Sequence, residues 1–150
     1  QHIIFYIGEY SVVSRLLNGE FLDYKATVPE KVKYTVNVKT QDFSNSIERV
    51  SLLITERLKS PVRCLFLKDR IHLSCNTSIG KASDELLAKS DVKTELEIAF
   101  NNKYMTDALK NTECDEIIIQ LNGPLNPIKI MPKEGNSFLF LVLPVRVKAE

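Results

Sequence analysis

Residues 32–58 read VKYTVNVKTQDFSNSIERVSLLITERL and contain the two patterns that determine the fold. Residues 32–38 alternate between an apolar or aromatic residue and a polar one, which predicts a half-buried β-strand. From about residue 42 to 58, apolar residues recur at spacings of three and four, which predicts an amphipathic helix. The residues of its apolar stripe are Phe43, Ile47, Val50, Ile54 and Leu58.

Two leucines of this predicted helix lie off the apolar stripe. Leu52 is about 180° from Phe43 on a helical wheel, and Leu53 is also outside the stripe. Such residues are either incidental exposed leucines, which protein surfaces commonly carry, or part of an interface. The pattern alone leaves both interpretations open.

The remaining elements indicate an α+β fold. Further strands are predicted at residues 62–68, 70–76, 79–88, 94–100, 116–121, 128–131 and 138–143. A second helix is predicted from about Asn102 to Asn111, with Asn101 as its N-cap. Its apolar face is predicted to consist of Tyr104, Met105, Ala108 and Leu109. Helices separated by runs of strands favour an antiparallel sheet with two helices packed on one face.

The segment before residue 32 contains a predicted hairpin followed by a polar stretch. Residues 3–7 and 11–17 predict a β-hairpin around Gly8-Glu9. A polar stretch from Asp23 to Lys33 contains Pro29, where the chain should run extended, and we expect a domain boundary in this stretch. The chain begins inside a strand pattern without Met or a signal-peptide pattern, so we expect it to be cut from something longer.

The composition limits the classes of protein to which the chain can belong. The chain has 150 residues, which predicts one domain with a short additional segment. Of these residues 44% are apolar and 26% are charged, and the net charge is +1. This charge does not by itself indicate nucleic-acid binding, although positive charge can be concentrated locally. Three cysteines without C-x-x-C spacing argue against a disulfide framework and a zinc site, and fit a reducing cytoplasm. No apolar run approaches the ~20 residues that cross a membrane.

A catalytic constellation is not evident in the sequence. The only histidines are His2 and His72, and the sequence has no P-loop, G-x-G-x-x-G or G-x-S-x-G motif. The acidic groupings are Asp84-Glu85 and 113–116, and the second, which precedes a strand, is interpreted as a solvated loop and not as a metal site. We therefore expect no catalytic, cofactor or metal site.

The end of the chain, FLFLVLPVRV at residues 138–147, is the most unusual segment. Both faces of this predicted strand are apolar, which is typical of a buried central strand. However, Pro144 has no N–H to donate, so regular pairing should stop there. Residues 145–147 would then form an apolar tail that could line a groove for a peptide. Both interpretations stay open from the residues alone.

Three segments resemble motifs of the bacterial sliding clamp family, the β subunit of DNA polymerase III, and the resemblance that they carry covers the whole chain. LNGEFLDY at residues 17–24 resembles the family's G-x-[FY]-P-[DN]-[YF] element, with Leu22 where proline is usual. IAFNNKYMTDAL at residues 98–109 resembles G-F-N-x-x-Y-x-x-D-[AV]-L, with Ala99 in place of glycine. Leu143-Pro144-Val145-Arg146 resembles the C-terminal M/L-P-[MV]-R, followed here by Val147 and three more residues.

The resemblance implies a fold and a function. Members have three similar domains per chain, and two chains close head to tail into a ring around duplex DNA. Residues 1–29 would be the hairpin and linker that end the middle domain, and residues 30–150 the C-terminal DNA-clamp domain. The implied function is that of a cytoplasmic DNA polymerase processivity factor without catalysis, cofactor, metal or membrane contact. Leu52 and Leu53 would belong to the homodimer interface.

The resemblance also implies binding surfaces. A pocket between the middle and C-terminal domains would receive short Gln-, Leu- and Phe-rich motifs from the DNA polymerase III α subunit, clamp-loader subunits and other replication and repair proteins. Its residues here would be Pro29, Asn101, Tyr104, Pro127, Leu141, Val142, Leu143, Pro144, Val145, Arg146 and Val147. Residues facing duplex DNA, without sequence preference, would be Arg49, Arg57, Lys59, Lys103 and Lys110.

Two alternatives remain at this stage. One is a stand-alone peptide-binding adaptor domain that uses the same tail groove without DNA. The other is a small α+β enzyme whose site the motifs do not reveal.

Overall fold

The computed structural model describes residues 1–55, 58 and 60–147. It begins with the predicted hairpin, formed by β1 (His2–Ile7) and β2 (Tyr10–Arg15). Gly8 in the turn has φ +60°, a left-handed conformation that glycine adopts without a Cβ penalty. Every residue of both strands is exposed.

The polar stretch that follows contains a short helix that the sequence pattern did not indicate. This helix, α1 (Tyr24–Thr27), begins at Asp23, whose Oδ1 accepts from the backbone N–H of Lys25 at 3.1 Å and of Ala26 at 3.3 Å. The helix ends at Val28, which has extended backbone angles. No strand or helix lies between Val28 and the next element at Tyr34.

The other elements confirm the α+β class, and all strand pairs are antiparallel. In chain order they are β3 (Tyr34–Lys39), α2 (Thr40–Val50), β4 (Val62–Phe66), β5 (Arg70–Thr77), β6 (Gly80–Leu87), β7 (Lys89–Ser90), β8 (Leu96–Phe100), α3 (Asn102–Lys110), β9 (Glu116–Leu121), β10 (Ile128–Pro132) and β11 (Phe140–Val142).

These strands form two sheets where the sequence pattern indicated one. The orders are β11-β10-β9-β3-β7 and β6-β5-β4-β8. The reason is a structural repeat: the order strand, helix, three strands occurs first from β3 to β6 and again from β8 to β11. The first strand of each unit pairs with the strand that follows the helix of the other unit, β3 with β9 and β8 with β4, which divides the strands between two sheets.

The core lies between the helices and the sheets. Helix α2 packs against β3 of one sheet, against β5 and β6 of the other, and against α3, which also contacts β11. Strands β4 and β9 bury alternate residues, so each sheet buries one face against this core. None of the described helices is long and apolar enough to span a membrane.

The predicted helix over residues 42–58 was too long. Helix α2 ends at Val50, residues Ser51–Leu53 form a 3₁₀ turn, and Ile54 is extended. Ile54 still packs partly buried against the core, as the stripe predicted. The periodicity therefore identified a core residue correctly and assigned it the wrong backbone, because an extended residue just past a helix end can reach the same core.

Two other assignments need correction. Tyr104 was predicted on the apolar face of the second helix but is 62% exposed, whereas Met105, Ala108 and Leu109 are buried. Tyr104 lies about 100° around the helix from Met105, at the margin of the stripe. The final strand is shorter than predicted, and β11 is an edge strand, so the interpretation of a central buried strand was wrong.

Candidate functional site

The register of the five-stranded sheet brings three separate chain segments to one of its ends. Tyr34 at the start of β3 pairs with Leu121 at the end of β9. Ile128 at the start of β10 pairs with Val142 at the end of β11. Because β9 and β10 are neighbours, the linker before residue 34, the loop 122–127 and the tail after residue 142 all leave from the same end.

The tail then joins this sheet end to the other sheet. Pro144 forms an isolated antiparallel bridge with Phe100, the last residue of β8. The backbone N–H of Val145 donates to the carbonyl oxygen of Ala99 at 2.7 Å. Regular pairing of β11 stops at Val142, in agreement with the prediction from Pro144. The tail is thus fastened beside the start of α3.

This junction exposes apolar side chains. Tyr104 is 62% and Leu143 61% exposed, while Val145 and Val147 are each 39% exposed. Leu141 is half-buried, and the side chain of Val142 is buried in the core. Val142 therefore supports the surface from beneath and does not line it. Exposed apolar side chains gathered in this way are typical of a binding surface.

Polar groups flank the same surface. Asn101 caps α3 by accepting the backbone N–H of Lys103 at its Oδ1, at 2.9 Å. This bond uses the oxygen of the side-chain amide, so its NH₂ group can still donate outward. Arg146 is exposed on the tail, and Pro29 and Pro127 are half-buried. The residues assigned to the predicted pocket therefore lie at the shared sheet end and at the start of α3.

A cleft of about 550 Å³ runs along α3 next to the tail. Its lining includes Asn101, Lys103, Thr106 and Val145, together with the segment before β4. A larger cavity of about 1150 Å³ lies between the first turn of α2 and the end of α3, lined by charged residues of both signs. No residue of the predicted peptide pocket lines this larger cavity.

A second exposed surface surrounds Leu52, whose side chain is 81% exposed. Leu53 is half-buried, and its Cδ1 lies 3.7 Å from the position that a Cβ at Gly80 would occupy. Gly80 begins β6, the eight-residue edge strand of the four-stranded sheet. The two leucines therefore lie beside a strand that has no second neighbour among the described residues, and such an edge can pair with a strand of another chain.

The sequence pattern did not identify β6 as an edge. The sequence contains one indication of an edge strand, because the outward-facing residues Lys81 and Glu85 are charged, as is common on edge strands. Charged outward residues also occur on central strands with one solvated face, so this signal is not specific.

The basic residues assigned to DNA have different surroundings. Arg49 donates from Nε to Oδ2 of Asp84 at 2.9 Å, so this carboxylate neutralises much of its charge. Lys103 and Lys110 are exposed on α3 and are seven residues apart, which places them on one helix face. Arg57 and Lys59 lie outside the described residues.

Asp84 belongs to a small polar network that joins α2 to β6. Ser46, which is fully buried, donates its hydroxyl to Asp84 Oδ2 at 2.7 Å. Partial burial acts to raise the pKa of Asp84, but the hydrogen bonds from Ser46 and Arg49 outweigh it, and the pKa lies below its ordinary value. The network fixes α2 against the strand that Leu53 covers.

Cys64, Cys75 and His72 lie within the strands of the four-stranded sheet. Burial raises the pKa of Cys64 and of Cys75, which makes both thiols poor nucleophiles. His72 lies on β5 opposite Leu65 and Glu85, within a regular ladder. Over residues 1–55, 58 and 60–147, no group of three or more histidine, cysteine or acidic side chains could hold a metal ion.

A family model for the C-terminal domain of the DNA polymerase III beta subunit matches residues 25–146. The chain belongs to this sliding clamp family. The match begins inside α1 and ends at Arg146, and so includes the linker, both sheets and the tail. Family membership therefore rests on the same elements that build the candidate site.

Individual relatives agree. A beta sliding clamp of Staphylococcus epidermidis is 32% identical over 145 residues, which are 96% of this chain and 38% of that protein. A sliding clamp structure from Bacillus subtilis has 32% identity and a TM-score of 0.86, covering 98% of this chain and 39% of the other. A Bartonella birtlesii clamp bound to griselimycin has 30% identity and a TM-score of 0.87, covering 97% and 39%. The chain thus spans about two fifths of the length of these relatives.

Proposed function

We propose that this chain is part of a ring-shaped DNA polymerase processivity factor and that it carries the ring's receptor for short peptide motifs. The observation that carries the proposal is the fastening of the tail to β8 beside Asn101. In a chain of the sliding clamp family, this leaves Leu143, Val145 and Val147 on an accessible apolar surface. Burial of apolar peptide side chains there would supply affinity, and Asn101 and Arg146 would orient the peptide backbone.

The peptide donors in this proposal are the α subunit of DNA polymerase III, clamp-loader subunits and other replication and repair proteins. The griselimycin bound in the Bartonella structure supports a ligand-binding surface in the family. The protein acts by tethering these partners and performs no catalysis of its own. Because it works on chromosomal DNA in bacteria, we place it in the cytoplasm.

Residues 1–29 are proposed to end a preceding domain. Ile4 and Phe5 on opposite faces of β1 are both exposed, as are Val12 and Val13 on β2. A two-stranded hairpin is at best marginally stable in water, and this one presents apolar side chains on both faces. It is therefore expected to pack against residues outside this chain, while residues 30–150 form the C-terminal domain.

Ring closure is proposed to use Leu52, Leu53 and the free edge of β6. A partner strand pairing with β6 would satisfy its unpaired backbone groups, and Leu52 would be covered by the partner. The partner is a second copy of the complete protein, and the contact is head to tail.

Duplex DNA is proposed to face α3. Lys103 and Lys110 are exposed on one side of this helix, with Asp107 between them. A weakly positive face suits sequence-independent contact, since strong phosphate pairing would resist sliding. The Arg49 side chain, which is held by Asp84, contributes less to this field.

Peptide binding is the direct test. The complete polypeptide that contains this chain, labelled with ¹⁵N, is titrated with the synthetic peptide Gln-Leu-Ser-Leu-Phe. We expect amide shifts at Tyr104 and at residues 141–147 except Pro144, and competition by griselimycin. Shifts confined to other residues, for example those lining the larger cavity, would contradict the pocket assignment.

A further inference from the structure

We propose that Asn122 is a positioning residue that sets the place of Pro29, one of the residues of the proposed peptide pocket. Asn122 follows β9 and is not among the residues assigned to the pocket. The inference rests on the proposed peptide-binding function and adds to it a residue that acts through the backbone of the linker.

The side chain of Asn122 makes two hydrogen bonds to the linker. Its Oδ1 accepts the backbone N–H of Lys33 at 2.8 Å, and its Nδ2 donates to the backbone carbonyl of Lys31 at 2.7 Å. The same Lys33 N–H also reaches the carbonyl of Leu121 at 3.3 Å. The amide thereby continues the β3–β9 pairing beyond Tyr34, where the ladder ends.

Pro29 lies between two hydrogen-bonded backbone groups. On one side, the N–H of Val28 donates to the carbonyls of Tyr24 and Lys25 and ends α1. On the other side, the carbonyl of Lys31 is fixed by Asn122. Only Pro29 and Glu30 lie between these anchors, and the φ angle of Pro29 is itself restricted. Asn122 therefore fixes one end of the short segment that carries Pro29.

On its other side, Asn122 begins the loop 122–127, which carries Pro127 of the proposed pocket. The loop 122–127 closes with a hydrogen bond from the N–H of Asn126 to the carbonyl of Gly123 at 3.2 Å. A Cβ at Gly123 would come within 3.0 Å of Asn126 Oδ1, so this loop is tightly packed. One residue therefore couples the linker that carries Pro29 to the loop that carries Pro127.

An amide is the side chain that this position requires. It accepts from one backbone group and donates to another, whereas a carboxylate of the same shape only accepts. Asn122→Asp would keep the bond to the Lys33 N–H, lose the bond to the Lys31 carbonyl and place negative charge against that oxygen. The substitution tests the donor function with almost no change in volume.

The experiment uses the complete polypeptide with Asn122→Asp, and it measures the Kd of fluorescein-labelled Gln-Leu-Ser-Leu-Phe by anisotropy. If the linker of the variant holds the binding geometry in only about a tenth of the molecules, the Kd of the peptide rises about tenfold. Asn111→Asp is the matched control, because Asn111 Nδ2 also donates to a backbone carbonyl, that of Asp107, at 2.7 Å. We expect its Kd to stay at the wild-type value.

A double-mutant cycle separates positioning from general stability. Combined with Pro29→Ala, Asn122→Asp should add little, because the proline ring that Asn122 positions is already absent. Combined with Val145→Ala, the two effects should add. Either of two results would overturn the inference alone. One is an Asn122→Asp variant with the wild-type Kd, and the other is an equal coupling energy of Asn122→Asp with Pro29→Ala and with Val145→Ala. If the wild-type protein binds neither this peptide nor griselimycin, the proposed function fails and the inference fails with it.

Discussion

Pro144 and Phe100 form an antiparallel bridge between the chain's tail and the last residue of β8, and so connect the two sheets. One residue later, the N–H of Val145 donates to the carbonyl of Ala99 at 2.7 Å. The tail is consequently fixed at one place on the surface, with its apolar side chains accessible. This contact predicts how the tail should respond to changes in its backbone.

Val145→Pro removes the N–H that holds the tail to Ala99. We expect the peptide Kd to rise about tenfold or more, since both the hydrogen bond and the tail position are lost. Val145→Ala keeps the N–H and removes only two methyl groups, so we expect a smaller rise of about threefold. Isothermal titration with the same peptide measures both. Equal effects of the two substitutions would show that the hydrogen bond does not matter.

Leu52→Asp should weaken dimerisation of the complete protein. An exposed leucine costs nothing to replace in the free chain, but an aspartate buried at an interface without a partner is strongly unfavourable. We expect the dimer Kd to rise by roughly 30- to 100-fold, which corresponds to about 2–3 kcal/mol. Sedimentation velocity over a concentration series gives this value.

Leu125→Asp is the control for ring closure. Leu125 is also a largely exposed leucine, but it lies in the loop 122–127, on a different sheet from β6. Its dimer Kd should equal that of the wild type. If the Leu52 variant dimerises as tightly as the wild type, or if both variants lose the same dimer affinity, Leu52 does not belong to the interface.

The Ser46–Asp84 hydrogen bond should make part of the folding stability depend on pH. The pKa of Asp84 is lowered in the folded state, so its contribution is present above the unfolded pKa of about 3.9 and is lost as pH falls through the folded pKa. Ser46→Ala should lower the free energy of unfolding at pH 7 by about 1–2 kcal/mol. It should also make the further fall in the free energy of unfolding between about pH 5 and 2 smaller than in the wild type. Urea unfolding at several pH values measures both effects.

The comparison of variants isolates Asp84 from other carboxyl groups. The pKa values of Asp69, beside Arg70, and of Glu116, beside Lys133, are also lowered, but they act equally in both proteins. Ser44→Ala on the same helix is the control, and its stability should follow the wild-type pH curve. Parallel curves for the Ser46 variant and the wild type would contradict the assignment.

Sequence patterns predicted the core well and the backbone less well. Phe43, Ile47 and Val50 were placed correctly because helical spacing determines which side chains share a face. The end of α2 was missed because Ile54 contacts the core from an extended segment. The two-sheet arrangement was missed because the pairing of β3 with β9 joins residues about eighty positions apart, which a local pattern does not reveal.

The candidate site was predicted from motifs and not from local chemistry. Pro144 indicated where pairing would stop, because a missing N–H is a local property. By contrast, the role of Asn122 depends on two contacts with a linker about ninety residues earlier in the chain. The partnership of Arg49 with Asp84 also comes from tertiary packing, and it lowers the net positive charge around this arginine.

Lys110 should contribute to DNA retention. Lys110→Ala removes an exposed positive charge from α3, so the slope of log Kd against log salt should fall in magnitude by about 1. Fluorescence anisotropy with a short labelled duplex between 50 and 200 mM salt measures this slope. Lys68→Ala, in the turn between β4 and β5, should leave it unchanged. If Lys68→Ala lowers the slope and Lys110→Ala does not, DNA faces the sheet side of the molecule.

Asn101 should have two separable functions. Its Oδ1 caps α3 through the N–H of Lys103, while its NH₂ group is available to a bound peptide. Asn101→Asp keeps the cap, because a carboxylate also accepts, and loses only the donor. We therefore expect wild-type or slightly higher stability, with a peptide Kd about tenfold higher.

Asn101→Ala removes both functions and completes the comparison. It should lower the free energy of unfolding by about 1 kcal/mol through loss of the cap. It should also weaken peptide binding at least as much as Asn101→Asp does. Thermal unfolding and titration with the same peptide measure the two quantities separately. If Asn101→Asp binds peptide as tightly as the wild type does while Asn101→Ala does not, Asn101 supports the site only by ordering α3, and its amide makes no contact with the ligand.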